Sequence, residues 1–580
     1  MNLKRDTKID LSGPSLPSIF KSSKIETWVD NESEENLDQS TSHRKIIRRF
    51  NQLSRLQRSL IYVFLFALIT VMVILFLTKQ PPNANKIKRK YEKIPLKNIT
   101  KSKELMENSV EMKKVISAVE SSERPVFSGP SNARQFAVVE SFKHAWRGYK
   151  AHAWGHDNLK PVSGMPYDWF SLGLTIVDSL DTALLMGLQQ EFEEGKEWIK
   201  NELVFTKNKD VNFFEVTIRV LGALLSNFHF TQDTMFIDKA KDLGERLLAA
   251  FSSPSGIPYS DVNLGTRKAH APEWSHFSTT AEVSTIQLEF RELSRVTKNP
   301  MFEDAAMAVS QKIHLLPKKD GLVPIFINPN SGQFLDHATI TLGARGDSYY
   351  EYLLKQWIQT GKTINFLRDD YMAAIDGVKK LLAKRSSPNK RLFIGELASG
   401  SEAFNPKMDH LTCFLPGTLA LGYANGLPGW HMSFAEELLY TCYLTYAVQP
   451  TFLAPEITHF NMVSTTEDMM TKTADAHSLL RPEFVESLFY FYQLTGNTTY
   501  QDWGWQVYQA IEKYAKVPNG YTSISNVKST KPVYRDMMES FFMSETLKYL
   551  YLLFSEDRYL IDLNKYVINT EAHPLPIHKN

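Results

Sequence analysis

The sequence predicts an all-α fold, an (α/α)7 barrel preceded by a single transmembrane helix. Three features predict it: an uncharged apolar run of membrane-spanning length, helical periodicity from about residue 131 onward, and a helical hairpin that recurs.

The apolar run comes first. Ser59–Thr78 (SLIYVFLFALITVMVILFLT) carries no charge. At ~1.5 Å per residue a helix of this length reaches ~30 Å, the thickness of a bilayer hydrocarbon core. It is too long, and lies too deep in the chain, for an ordinary cleaved signal peptide. Residues 1–58 are polar and aperiodic and read as a disordered tail, while residues 79–130, with Pro81-Pro82 and many lysines and glutamates, read as a stem. Basic residues flank the run evenly, from Arg44 to Arg58 before it and from Lys79 to Lys93 after it, so charge alone does not orient the span. The sequons Asn98-Ile-Thr and Asn497-Thr-Thr follow the run, but Asn31-Glu-Ser precedes it.

Residues 131–580 form the folded part. Phe213–Phe228, Ala281–Val296 and Phe484–Leu494 place apolar residues at helical spacing, and strand-like alternation is confined to short stretches such as Tyr521–Val527. A helix, a short polar turn and a second helix opening on an aromatic recur at Phe236, Phe302, Tyr500 and Tyr559. The underlying period is roughly 65 residues, which gives about seven hairpins. Hairpins of this kind bury their faces only by stacking on neighbours. A closed ring fits so long a period better than an open solenoid, and its inner helices would line a central cavity.

Composition narrows the function. Net charge is +2, so no strong field exists to recruit nucleic acid. Aromatics reach 12%, which suits both a core and a sugar-binding cleft. Two cysteines, Cys413 and Cys442, are too few for a disulfide scaffold or a four-ligand zinc site. In an oxidising compartment they can form one bridge, and in a reducing one they are two small buried residues.

Carboxylates embedded among apolar and aromatic residues are the candidate chemistry: Glu215, Asp347, Glu483, Glu486, Glu539, Glu545 and Glu571. Pro482 suits the first turn of a helix and sets Glu483 near its positive end, while Glu215 and Arg219 share a helix face. Any one of these acids can be a surface ion pair or a cap. Several together, in apolar context, point to a functional cavity, because an unpaired buried carboxylate is costly. Two or three around one cleft suit glycosidic bond hydrolysis, in which one protonates the leaving oxygen and another activates water or attacks the sugar. No His-Glu-x-x-His and no cysteine cluster supports a zinc hydrolase.

Longer motifs then carry a resemblance. FKHAWRGYKAHAWGHDNLKPVSG, GLTIVDSLDTALLMGL, FFEVTIRVLGALLS, GARGDSYYEYLLKQW, MDHLTCFLPGTLALG, LLRPEFVESLFY, MESFFMSETLKYLYLLF and VINTEAHPLPI span about Phe142 to Ile577. They resemble the class I α-1,2-mannosidases of glycoside hydrolase family 47, most of all the endoplasmic-reticulum branch. The resemblance implies a seven-hairpin α/α barrel on the lumenal side of a type II membrane anchor. It implies inverting, Ca²⁺-dependent removal of terminal α-1,2-linked mannose from high-mannose N-glycans of glycoproteins, trimming nine mannoses to eight in endoplasmic-reticulum quality control and degradation. Matched by motif, Glu215 protonates the leaving oxygen through water, Asp347 is a second essential carboxyl, and Glu483 is the base. Thr570 ligates Ca²⁺, while Glu486, Glu545 and Glu571 hold its waters or the sugar hydroxyls. Arg219, Glu282, Arg345, His410, Arg481 and Phe541 bind substrate, and Cys413 and Cys442 form the family's disulfide. Ser544 and Met537 depart from the usual glycine and lysine. Rival expectations are a Golgi-type mannosidase and a degradation-enhancing, lectin-like relative; the latter typically lacks the anchor and the cysteine pair.

Overall fold

The computed structural model of the chain describes residues 125–463 and 466–578. All described residues belong to one compact unit, Lys101–Asn580. The predicted tail, the span Ser59–Thr78 and most of the stem lie outside the described residues. Among those described, no helix is long and apolar enough to cross a membrane.

Seven inner helical segments alternate with seven outer ones among the described residues. The inner set is Leu174–Leu185, the run 213–231, the run 280–297, Asp347–Gln359, Leu415–Ala424, Glu483–Thr495 and the run 542–553. Each packs on the next, and Leu174–Leu185 meets both Gly222–Thr231 and Phe542–Thr546, which closes the ring. Inner and outer helices differ in sequence as their surroundings require. Leu174–Leu185 buries eleven of its twelve residues, Asp178 and Asp181 among them, so it is enclosed by protein on nearly every side. Outer Gln189–Asn201 is polar apart from a stripe of Phe192, Gly195 and Ile199, the three positions it buries. Gly195 lets the two helices approach closely: a Cβ there would sit 2.8 Å from Leu180 Cδ1 and 3.2 Å from Ile176 Cγ2.

Local chemistry ends the helices where the hairpins turn. The run 213–231 stops at Gln232, in the left-handed region at φ 62°, and Asp233 caps the following Thr234–Leu247 by accepting from Met235 N at 3.0 Å. Gly496 at φ 70° stops Glu483–Thr495 in the same way.

Two expectations change. Tyr559 opens no helix: it lies in a turn, 66% exposed, because the chain there heads into the strand Tyr566–Ile568. The outer partner of the last inner helix is instead the first described helix, Ala133–His152, which packs on Leu547–Leu553. Its cap residue Asn132 donates to Phe554 O at 2.8 Å. The predicted helix over Ala281–Val296 is broken at Thr285–Ile286 into Thr280–Ser284 and Gln287–Thr297.

Strands are short and antiparallel, two to four residues each. The hairpin Tyr566–Ile568 and Pro574–Pro576 packs against Gly222–Thr231, Gln287–Thr297 and Asp347–Gln359, which carries its turn into the ring. Cys413, beside the inner helix Leu415–Ala424, and Cys442 of the outer Trp430–Ala447 are joined by a disulfide over a separation of 29 residues. On the chain-entropy view closing such a loop contributes about 3 kcal/mol. Cys413→Ser with Cys442→Ser therefore lowers Tm in a thermal melt, and an unchanged Tm would show the bridge to be stability-neutral.

Candidate active site

The inner helices bring their N-terminal ends and the turn of the last hairpin around one cavity of about 280 Å³. Glu215, Arg219, Glu282, Arg345, Asp347, Arg481, Glu483, Glu486, Phe541, Glu545, Thr570 and Glu571 all line it. His410 is one step behind, its Nδ1 2.8 Å from Glu483 Oε2 and its Nε2 2.7 Å from the Tyr446 hydroxyl. Glu539 does not line the cavity.

Helix geometry aims most of these groups. Asn212 caps the run 213–231 by accepting from Glu215 N at 2.9 Å and also donates to Glu282 Oε1 at 3.2 Å. Glu215 Oε2 then accepts from Arg219 Nε at 2.8 Å, the i,i+4 pairing the spacing predicts. Pro482 is the cap and Glu483 the first residue of Glu483–Thr495, close to the helix's positive end. Two of the three π-helical turns among the described residues fall on the site, Thr217–Leu221 around Arg219 and Phe542–Thr546 around Glu545. Such turns displace one residue from regular register and recur at functional sites. Arg345 (φ 74°), Leu480 before Arg481 (φ 61°) and Ala572 after Glu571 (φ 61°) occupy the left-handed region. That conformation costs energy and is held by the surrounding structure.

Phe541 lies between two guanidinium groups, Arg219 at 5.8 Å and Arg481 at 5.6 Å from its ring centre. Arg481 is fixed by Glu456, whose Oε2 accepts from Nε at 2.6 Å. Arg219 also pairs with Glu571 and donates to Ser540 Oγ at 3.2 Å. Arg345 is exposed at the mouth, and its guanidinium stacks on Trp274 at 4.8 Å and Phe326 at 5.7 Å. A stacked guanidinium keeps its edge donors for a ligand.

The carboxyls separate electrostatically. Burial would raise Glu483, yet His410 and Arg481 hold it below the usual carboxylate range. Burial, with Glu351, Glu483 and Asp409 nearby, pushes Asp347 up to about 7. Burial and neighbouring acids raise Glu486 to about 8, even with Lys355 close by. Glu545 and Glu571 are raised well above the usual range by burial and like charge, and Glu282 rises mainly by burial. Environments that push carboxyls apart assign one to hold a proton and another to take one.

Eight carboxyls and three guanidinium groups line the cavity. That excess suits a hard divalent cation, whose charge would relieve the repulsion. Among the described residues no group of three His, Cys, Asp or Glu side chains is placed to hold a metal directly. Thr570 can offer a hydroxyl and a carbonyl, with water bridging to the surrounding acids; its Oγ1 donates to Glu351 Oε2 at 2.8 Å. The residues therefore fit a cation bound largely through water.

Glu351 was missed in the sequence, although it follows Asp347 by four on one helix and lines the same cavity. That i,i+4 spacing was the available signal. Glu456, Tyr446 and Trp274 offered none, because their roles depend on which segments the fold brings beside them.

Residues 141–577 match the family Glycosyl hydrolase family 47. The chain belongs to that family. It is 57% identical over 453 residues to an endoplasmic reticulum mannosyl-oligosaccharide 1,2-alpha-mannosidase of Mus musculus, a match covering 77% of this chain and 68% of the mouse protein. The Homo sapiens protein of that name is 56% identical over 451 residues, covering 77% of this chain and 64% of that one. The solved alpha-1,2-mannosidase from Trichoderma reesei superposes with a TM-score of 0.73 at 27% identity, covering 78% of this chain and all of that one. The matched span contains every residue that lines the cavity. The family match ends at Ile577, so it takes in the C-terminal turn that carries Thr570 and Glu571.

Proposed function

We propose that this family 47 glycosidase hydrolyses terminal α-1,2-linked mannose on high-mannose N-glycans of glycoproteins. The observation that carries the reading is the likeness to the endoplasmic reticulum 1,2-alpha-mannosidases of mouse and human; within the cavity, Glu483 is held below the usual carboxylate range and Asp347 is pushed up to about 7. Glu483 takes a proton from a water as its oxygen bonds to the anomeric carbon. The carbon–oxygen bond to the leaving sugar breaks, and that oxygen receives a proton that Glu215 gives up through an intervening water, with Asp347 the second carboxyl the step needs. Attack from the face opposite the leaving group gives β-mannose. Arg219, Arg481 and Phe541 seat the sugar, His410 orients Glu483, and Glu282, Glu486, Glu545 and Glu571 take its hydroxyls or ordered waters. Thr570, with waters ordered by the surrounding acids, would hold Ca²⁺, which would supply a fixed positive charge toward sugar hydroxyls. Incubating the protein with a nine-mannose glycan and identifying the product tests the reading, and absence of mannose release overturns it.

The names of the similar mouse and human proteins support residence in the endoplasmic reticulum. The division into tail 1–58, anchor 59–78, stem 79–130 and lumenal catalytic domain 131–580 belongs to this proposal, supported by the uncharged run Ser59–Thr78. Protease added to sealed microsomes then removes only about the first 58 residues, and loss of the large domain refutes the orientation.

Arg345 sets the stopping point. Its exposed guanidinium, over the Trp274 ring at 4.8 Å, can hold hydroxyls from more than one glycan branch and fix one pose. Arg345→Leu relaxes that preference and lets further mannoses be removed, read in a time course of products. A variant that stops at the same eight-mannose isomer removes Arg345 from this role.

A further inference from the structure

Behind the cavity floor, the turn joining Tyr566–Ile568 to Pro574–Pro576 is anchored by buried polar groups that touch no cavity surface. Asn569 Oδ1 accepts from Glu571 N at 3.0 Å and His573 N at 2.8 Å, while its Nδ2 donates to Ile218 O at 3.0 Å and Glu289 Oε1 at 2.8 Å. Lys548 Nζ donates to Ala572 O at 2.7 Å and lies 2.9 Å from Asp181 Oδ1. His573, fully buried, sets its ring between two carboxylates of Leu174–Leu185: Nδ1 is 2.9 Å from Asp181 Oδ2 and Nε2 is 3.2 Å from Asp178 Oδ1.

The two carboxylates do different things. Asp181 completes a closed set with Lys548 and the Ser226 hydroxyl, 2.8 Å away. Asp178 faces the site: its Oδ2 accepts from Ser540 at 2.5 Å and Ser544 at 3.1 Å and lies 3.7 Å from Arg219 Nη1. That same Nη1 binds Glu571 and Ser540. His573 thus shares a turn with Glu571 and, through Asp178, reaches the same guanidinium nitrogen that Glu571 grips.

We propose that His573 is a positioning residue for the glycosidase site, its Nε2 contact to Asp178 setting where the Arg219–Glu571 pair and the face of Phe541 stand. The proposal rests on the cavity being the mannose site. A buried ion pair that only stabilises would make both ring nitrogens count alike. A positioning role through Asp178 makes Nε2 the one that matters for turnover.

Side-chain amides separate the two. An asparagine amide reproduces the position of Nδ1, and a glutamine amide that of Nε2. In the full chain with a nine-mannose glycan, His573→Gln keeps kcat/KM within a few-fold of wild type. His573→Asn loses about 10²-fold, the usual consequence of an ångström-scale misplacement. Tm falls in both to a similar extent. Equal activity in the two variants, whether high or low, overturns the proposal. If neither variant folds, Asp178→Asn reads the same connection: a loss of about 10²-fold supports it and wild-type turnover overturns it. An inactive wild type would instead defeat the mannosidase reading itself.

Discussion

Glu483→Gln lowers kcat by about 10²–10⁴-fold while the glycan still binds, because the amide keeps the carboxylate's shape but cannot take a proton. The physical reason lies in the surroundings of Glu483. A carboxyl this buried would normally keep its proton, yet His410 and Arg481 stabilise its charge. It is therefore ionised and ready to accept a proton at neutral pH. Glu215→Gln produces a loss of the same order by removing the acid side. The pH profile separates the roles. Asp347 is protonated below about 7 and ionised above it, so kcat/KM falls on the alkaline side with an apparent pKa near 7. Asp347→Asn lacks that limb and is slow at every pH. NMR of the first-formed sugar detects β-mannose. A Glu483→Gln enzyme with wild-type kcat, or an α-mannose product, would falsify the assignment.

Removing Ca²⁺ abolishes mannose release and lowers Tm, and returning it restores both. Glu486, Glu545 and Glu571 are raised first by burial and then by like charge around the cavity, Glu351 and Glu483 at Glu486, Glu571, Glu483 and Glu486 at Glu545, and Asp178 and Glu215 at Glu571, with Arg219 and Lys355 as the nearby counterweights. Binding a cation to the folded form alone stabilises it by about 4 kcal/mol at a free concentration 1,000-fold above Kd. In calorimetry that is a drop of several degrees on chelation. Because the protein offers few direct ligands, the affinity also depends on the waters the acids hold. A chelated protein with full activity and an unchanged Tm would remove Ca²⁺ from the account.

Much of the site was legible in the sequence because its acids sit in long helical motifs. Glu215 with Arg219, and Glu483 after Pro482, share faces or helix ends that local spacing alone defines. Arg345 shows the limit of such reading. Its neighbours in sequence are Ala344 and Gly346, yet its surroundings are Trp274 and Phe326, so a buried ion pair and an exposed stacked guanidinium could not be told apart. The chemistry of Cys413 and Cys442 likewise depended on a partner 29 residues away.

By itself the sequence determined the helical period, the approximate number of hairpins and the carboxyls able to do acid–base work. Each follows from interactions within a few residues or from composition along one helix face. Only the tertiary structure decided that Ala133–His152 completes the ring in place of a helix at Tyr559, that Glu351 joins the acids around Thr570, and that His573 meets Asp178 and Asp181. Those three depend on side chains roughly two hundred to four hundred residues apart in the chain. Their meeting is set by the closure of the ring, which no local periodicity encodes.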